Sequence, residues 1–218
     1  MNKFGKLLIA MVVPFGALAW ASAANASPIL HFGQTSNTNT VTATRVGTTT
    51  TIAGTDIAVS ITQILAAVIT PTSAFLTLNA TNTGPAATFL GSIGQQYSGT
   101  FSITSLAGGL GTNYLSGTFS DTAFGTGSSL ALTSSDPTDS IVFSSDVINA
   151  LFDPTSITFS LANVTPQLSI VNTTLNSFTA SVSGDFSGTA VPEPGTLLLC
   201  GTALVGWGVM VRRRRKSS

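Results

Sequence analysis

The middle of this chain has almost no basic residues and no glutamate. Arg45 is the only basic residue between 27 and 191, against seven Asp, so this stretch carries a formal charge of −6. The other seven basic residues lie near the two termini: Lys3, Lys6, Arg212, Arg213, Arg214, Arg215 and Lys216. An acidic stretch of this kind cannot neutralise a phosphate backbone, so the composition argues against nucleic-acid binding.

Cysteine is limited to Cys200, within an apolar run near the C-terminus. One cysteine cannot form an internal disulfide, and a cysteine-ligated metal site needs several. We interpret Cys200 as a small packing or lipid-facing residue. A lipidated or redox-active thiol is the alternative, although no neighbouring residue would activate it.

Groups that catalyse proton transfer are also scarce. His31 is the only histidine, and we expect it to be a half-exposed strand residue rather than a catalytic base. The nucleophile motif Gly-x-Ser-x-Gly and the Lys-Ser/Thr of a phosphate-binding loop are missing. A pair of Asp carboxylates could serve a glycosidase, but no Asp has flanking residues that mark it. The sequence therefore predicts a protein with neither enzymatic activity nor a cofactor.

Four aspartates form the one acidic group worth weighing as a metal site: Asp136, Asp139, Asp146 and Asp153. Oxygen-rich loops bind Ca²⁺, yet the spacing matches neither an EF-hand nor a glycine-aspartate repeat. Asp-Pro pairs are typical turn starters. We therefore predict turns at Asp136-Pro137 and Asp153-Pro154, and no metal ligands.

Thr, Ser, Gly, Ala and Asn dominate the middle of the chain, in patterns typical of β-strands. Apolar and small polar residues alternate at 57–62, 97–103, 115–119, 157–161 and 178–183. Weaker strand signals fall at 41–46, 74–80, 130–133, 139–143 and 168–171, with turn signals at 82–85, 108–109 and 183–184. The pattern predicts an all-β, antiparallel β-sandwich or jelly-roll-like domain over residues 27–186. Segment 145–152 is either a helix capped by Ser145 or a strand ending in a turn.

The N-terminus has the features of a secretory signal peptide. Lys3 and Lys6 precede an apolar stretch at 7–19, and small residues follow at 21–26. We favour cleavage after Ala26, which gives a signal peptide of residues 1–26, over cleavage after Ala23. An uncleaved N-terminal anchor is the remaining alternative. This segment implies signal peptidase and the secretory machinery as partners.

The C-terminus combines three features after a predicted spacer at 187–190. The tripeptide Pro192-Glu193-Pro194 comes first, then an uncharged, mostly apolar run at 195–211, then the basic cluster at 212–216. A helix of roughly 17–25 apolar residues spans a bilayer, and Lys and Arg stay on the cytoplasmic side. We predict a transmembrane helix at 195–211. Its cytoplasmic stop-transfer residues are Arg212, Arg213, Arg214, Arg215 and Lys216.

This order of tripeptide, short glycine-containing apolar run and basic tail resembles the PEP-CTERM sorting signal of Gram-negative bacteria, here at residues 191–218. The resemblance implies anchoring in the inner membrane, then processing near the tripeptide by an exosortase, and delivery to the cell surface or extracellular matrix. Pro192, Glu193 and Pro194 would be the recognition residues. The two prolines keep this segment extended, as a protease cleft requires. Surface Thr and Ser could carry O-linked sugars, with strand propensity as the simpler explanation.

Three hypotheses cover the task of the domain itself. The first is a non-catalytic structural protein of the cell surface, extracellular matrix or biofilm. The second is an extracellular polysaccharide-binding module, with or without Ca²⁺, in which Tyr97, Tyr114 and the Phe residues are candidates for stacking on sugars. Most of the Phe residues, however, lie on predicted apolar faces and fit the core better. The third is a permanently anchored single-pass inner-membrane protein whose tail is never cut.

Overall fold

The computed structural model describes residues 27–65, 67–134, 141–148 and 152–190, and these ranges contain strands but no helix. The strands are β1 (Ser27–Gln34), β2 (Val41–Val46), β3 (Thr49–Ile64), β4 (Ala67–Asn82), β5 (Ala87–Phe89), β6 (Ser92–Leu106), β7 (Leu110–Thr126), β8 (Ser129–Ser134), β9 (Ile141–Ser144), β10 (Phe152–Thr165), β11 (Ile170–Val171), β12 (Thr174–Leu175) and β13 (Phe178–Ala190). In the part of the chain described, no helix is available to cross a membrane. The predicted signal peptide and the predicted helix 195–211 lie outside these ranges.

Neighbouring strands pair antiparallel, and the main sheet closes on itself. β6 pairs with β4 on one side and with β7 on the other, so the path β6-β4-β3-β1-β13-β10-β8-β7 returns to its start. Two positions in this ring are each filled by two short strands. β1 and β2 both lie between β3 and β13, while β8 and β9 both lie along β7. The predicted all-β antiparallel fold is confirmed, and strands on opposite sides of the ring form its two layers.

A phenylalanine cluster fills the interior and shows that the two layers face each other. Alternate side chains of each strand point inward, as Ile57, Val59 and Ile61 of β3 do. Phe101 of β6 stacks on Phe186 of β13 with ring centroids 4.9 Å apart, although these strands are not neighbours in the sheet. Contact between strands on opposite sides of the ring gives one shared core, as in a sandwich.

The closed sheet has two different ends, because successive antiparallel strands reverse direction. The terminal end is formed by Ser27, Leu65, the turn at 107–109, residues 145–148 and Ala190. The distal end is formed by the connections at 47–48, 83–91, 127–128 and 166–177. Ser27 lies opposite Gly188, so the first and last strands are side by side.

A buried polar network holds the segment 166–177 over the distal end of the core. The Gln95 side chain, 2% exposed, donates to the Gly84 carbonyl oxygen and to Thr174 Oγ1, both at 2.9 Å. Its Oε1 accepts from Tyr97 Oη at 3.0 Å and from the Leu175 backbone N–H at 3.1 Å. Every polar atom of this buried amide is thus paired, which fixes the β11–β12 hairpin in place.

Two turn predictions are wrong, because both segments lie inside strands. Asp153-Pro154 lies inside β10, where a register shift after Pro154 accommodates the proline. Ser183-Gly184 lies inside β13. A Cβ at Gly184 would come within 2.3 Å of Phe32 Cε1, so this glycine marks close packing under an aromatic ring and not a turn.

Three other segments differ from the sequence prediction. Residues 187–190, predicted as a spacer, continue β13 and pair with β1 and β10. The strand predicted at 168–171 is reduced to Ile170–Val171. Of the ambiguous segment 145–152, the described residues 145–148 are not helical, although Ser145 Oγ accepts from the Val147 and Ile148 backbone N–H groups as a cap would.

Candidate functional site

The sorting signal predicted from the sequence follows the last strand almost directly. β13 stays paired to its end, with Phe152 of β10 opposite Ala190. Pro192 is two residues further along the chain, and it has no N–H with which to extend the ladder. The described part of the sheet thus ends two residues before the tripeptide.

The predicted sorting residues themselves lie outside the described residues. They are Pro192, Glu193 and Pro194, together with Arg212, Arg213, Arg214, Arg215 and Lys216. The structure places the point from which this segment leaves the domain, at the terminal end and beside β10. Their recognition and stop-transfer roles stay predictions.

His31 forms one ion pair on the outer face of the sheet. It lies opposite Asp185 in the β1–β13 register, and His31 Nδ1 contacts Asp185 Oδ1. The two side chains are 42% and 68% exposed. An exposed pair of this kind stabilises a fold by at most about 1 kcal/mol. Among the described residues, the Asp185 carboxylate is the side-chain partner of the His31 ring.

Two of the described aspartates accept hydrogen bonds from the backbone at the terminal end. Asp56 Oδ1 accepts the Gly108 backbone N–H at 2.7 Å, and Asp146 Oδ2 accepts that of Asn113 at 2.8 Å. Asp136 and Asp139 lie outside the described residues, and of Asp153 only the backbone is described. Among the residues described, no three His, Cys, Asp or Glu are grouped closely enough to hold a metal ion.

A polar cleft of about 450 Å³ lies between the loop after β1 and the outer faces of β10 and β13. Gln34, Asn163 and several serines line it. Gln34 already bonds the loop, because its Nε2 donates to the Ser36 carbonyl at 2.7 Å and its Oε1 accepts from Thr40 Oγ1 at 2.7 Å. The cleft has room for a small neutral ligand but lacks the apolar walls typical of a specific site.

The sugar-stacking role considered for Tyr97 is wrong. Tyr97 is fully buried, and desolvation raises the pKa of its phenol well above the usual value. Tyr114, the other candidate, is half-buried against the core. The Tyr97 ring is therefore not free to lie flat on a ligand.

Two phenylalanines on the outside of the sheet are exposed instead. Phe89 and Phe124 are 69% and 50% exposed. Phe89 lies opposite Ser92 and Phe124 opposite Gly94, so their side chains are on one face, two positions apart along β6. Strand parity could have indicated Phe124, because Ala123 before it points inward. Phe89 lies in a three-residue strand that no periodic pattern predicts.

Comparison with known proteins agrees with the sorting signal predicted at the C-terminus. The PEP-CTERM protein-sorting motif matches residues 190–215, beginning at the last residue of β13. Among curated proteins and solved structures, no match is found for the chain. The similarity thus covers the tail, and the domain before it is argued from its own structure.

The motif indicates export through a membrane-anchored intermediate and exosortase-dependent sorting to the cell surface. The fold is compatible with this route, because the last strand ends where the motif starts. The chain therefore carries a PEP-CTERM protein-sorting motif, which matches residues 190–215 and directly follows an all-β domain.

Proposed function

We propose that the domain is a non-catalytic structural component of the cell surface or extracellular matrix, set free by cleavage near Pro192-Glu193-Pro194. The main observation in support is the position of the motif relative to the sheet. β13 is fully paired through Ala190 and the tripeptide starts at Pro192. A cut at the tripeptide would leave every strand of the domain intact.

The charge distribution supports the same role. Cleavage there would remove all five C-terminal basic residues and leave a domain with seven Asp and one Arg. A net negative charge keeps such a domain soluble among other acidic polymers. Ring closure also leaves the long strands paired on both sides, which protects them from edge-to-edge aggregation.

The test is replacement of Pro192, Glu193 and Pro194 by alanine, with Ser217 and Ser218 replaced by alanine as the control. Mass spectrometry of protein from the surface and membrane fractions should find that the unmodified chain and the control lack residues 212–216. The triple-alanine chain should keep them and stay in the membrane. Normal trimming of the triple-alanine chain would overturn the proposal, and an unmodified chain that always keeps its tail would favour permanent anchoring.

A second candidate is an extracellular polysaccharide-binding module, favoured by the exposed pair Phe89 and Phe124. Aromatic rings stack on the apolar faces of sugar rings, and these two lie at the distal end, away from the anchor. Binding of the producing cell's own polysaccharide should weaken at least tenfold in Phe89→Ala and Phe124→Ala. Val46→Ala, which removes another exposed apolar side chain at that end, should leave it unchanged. The assay is run with and without Ca²⁺, and no binding in either condition eliminates this role.

A further inference from the structure

The terminal end of the domain carries an apolar surface that the proposed function does not use. Leu106 and Leu110 lie opposite each other where the β6–β7 hairpin turns, and they are 57% and 63% exposed. Leu65 and Val147 add partly exposed side chains at the same end, at 39% and 37%. We call these four side chains the terminal apolar patch.

Both segments that connect this domain to the membrane leave from that same end. Ser27, which follows the predicted signal peptide, lies opposite Gly188, and β13 ends at Ala190. Four residues separate Ala190 from the apolar run that begins at Gly195. An extended chain covers about 3.4 Å per residue, so the tether reaches roughly 17 Å at most. The anchored domain must therefore turn its terminal end toward the bilayer.

From this placement we propose that the terminal apolar patch contacts the lipid surface while the chain is anchored, with Leu106 and Leu110 entering the interface. The inference rests on the proposed function, because it concerns the anchored intermediate on that route. The short tether holds this end of every anchored molecule against the bilayer, so the lipid surface is the partner that the patch meets.

Charge indicates that this contact depends on the tether. Asp56 and Asp146 lie near the patch, and Arg45, the one Arg or Lys among the described residues, lies at the distal end. Anionic lipids therefore give this end no electrostatic attraction. A few partly exposed aliphatic side chains bind a bilayer less well than one acyl chain, which alone gives only marginal, reversible binding. The tether raises the effective concentration of the patch at the bilayer surface. Cleavage of the tether would therefore release the patch and the domain together.

The test uses the full chain with Cys200→Ser, reconstituted in phosphatidylethanolamine–phosphatidylglycerol vesicles. Leu110→Cys carries an environment-sensitive fluorophore, and Leu90→Cys, an exposed leucine at the distal end, is the control. Quenching by nitroxide-labelled lipid should be strong at position 110 and absent at 90. Insertion of twenty Gly and Ser residues after Ala190 should reduce the quenching at 110 severalfold.

Equal quenching at 110 and 90, or quenching at 110 that is unaffected by the insertion, would overturn the proposal. Quenching that appears only when an exosortase is co-reconstituted would also overturn it, in favour of a protein partner. The triple-alanine tripeptide chain keeps its anchor and should still show quenching at 110. Loss of lipid contact with normal tripeptide-dependent delivery would thus refute the contact and leave the sorting function standing.

Discussion

Gly184 is a residue whose missing side chain decides the packing of the core. Phe32 covers it, and Phe32 is itself held by Phe159 and Phe186 at centroid distances of 6.4 and 6.0 Å. The ring has no exposed surface, and closely packed protein cores leave little room for such a ring to move. A methyl group at 184 must therefore displace part of the aromatic cluster.

Gly184→Ala should lower the free energy of unfolding by about 1–3 kcal/mol, the usual cost of overpacking a core. Gly33→Ala is the control, since Gly33 lies in the neighbouring strand opposite Ser183 and a Cβ there meets no atom within 4 Å. Its stability should be unchanged or higher by up to about 1 kcal/mol. Urea unfolding followed by circular dichroism measures both, and equal midpoints would refute the packing argument.

Tyr97 should make the stability of the fold depend on alkaline pH. Burial raises the pKa of the Tyr97 phenol in the folded chain, whereas the same phenol in the unfolded chain ionises near pH 10. The stabilisation is therefore fully present below about pH 10 and is lost as the pH rises through the higher folded value. Above pH 10 the unfolding midpoint of the unmodified chain should fall faster than that of Tyr97→Phe. If the unfolding midpoints of the two proteins change in parallel from pH 8 to 11, this prediction is wrong.

Among the secondary-structure elements, β13 determines where the domain can be cut without damage. Residues 187–190 pair with β1 and β10, and Ser156 Oγ lies 2.6 Å from Ser187 Oγ. A chain that stops at Ala190 keeps all of these bonds. One that stops at Phe186 loses the ladder on both sides of the strand.

A chain ending at 190 should unfold with the same free energy as the processed protein. A chain ending at 186 should be less stable by several bonds of roughly 1 kcal/mol each. Both can be exported with the native signal peptide and compared by urea unfolding. If the two truncations are equally stable, residues 187–190 do not contribute to the sheet.

The sequence predicts strands well where one face is apolar and the other polar, as in β3, β6 and β10. It fails where a residue's usual local meaning is overridden by packing. Gly184 is an example, and so is Asp153-Pro154, where an Asp-Pro pair lies in a strand beside a register shift. Polar side chains that pair only after folding, such as Gln95 with Thr174, leave no periodic signal, so the β11–β12 hairpin could not be predicted. For the candidate site, Pro192, Glu193 and Pro194 were predictable because sorting depends on a linear motif.

For the molecule as a whole, the pairing of β1 with β13 brings the N-terminal and C-terminal residues of the domain side by side. Ser27 and Gly188 are paired neighbours, although 160 positions separate them in the chain. Chain termini that lie close together at the surface can be joined by a linker, provided that the new termini are placed in an exposed turn.

A circular permutant that links Ala190 to Ser27 through a short Gly-Ser linker, opened between Gly127 and Ser128, should fold with near-native stability. The same permutant opened between Ser183 and Gly184 should not fold, because it interrupts β13 between its two partners. Circular dichroism and resistance to a protease distinguish the two. Failure of the first permutant with an otherwise soluble chain would show that the closed sheet is wrong.

The pairing of β1 with β13 also has a consequence for the order of events during export. The segment that reaches the far side of the membrane first needs, as its partner, the segment that arrives last. Pairing between strands so distant in sequence is intrinsically slow, so we expect the sheet to close only when translocation is nearly finished. If the apolar run at 195–211 acts as the predicted stop-transfer segment, it would halt the chain just as β13 becomes available, and the domain would complete its sheet while still held at the membrane.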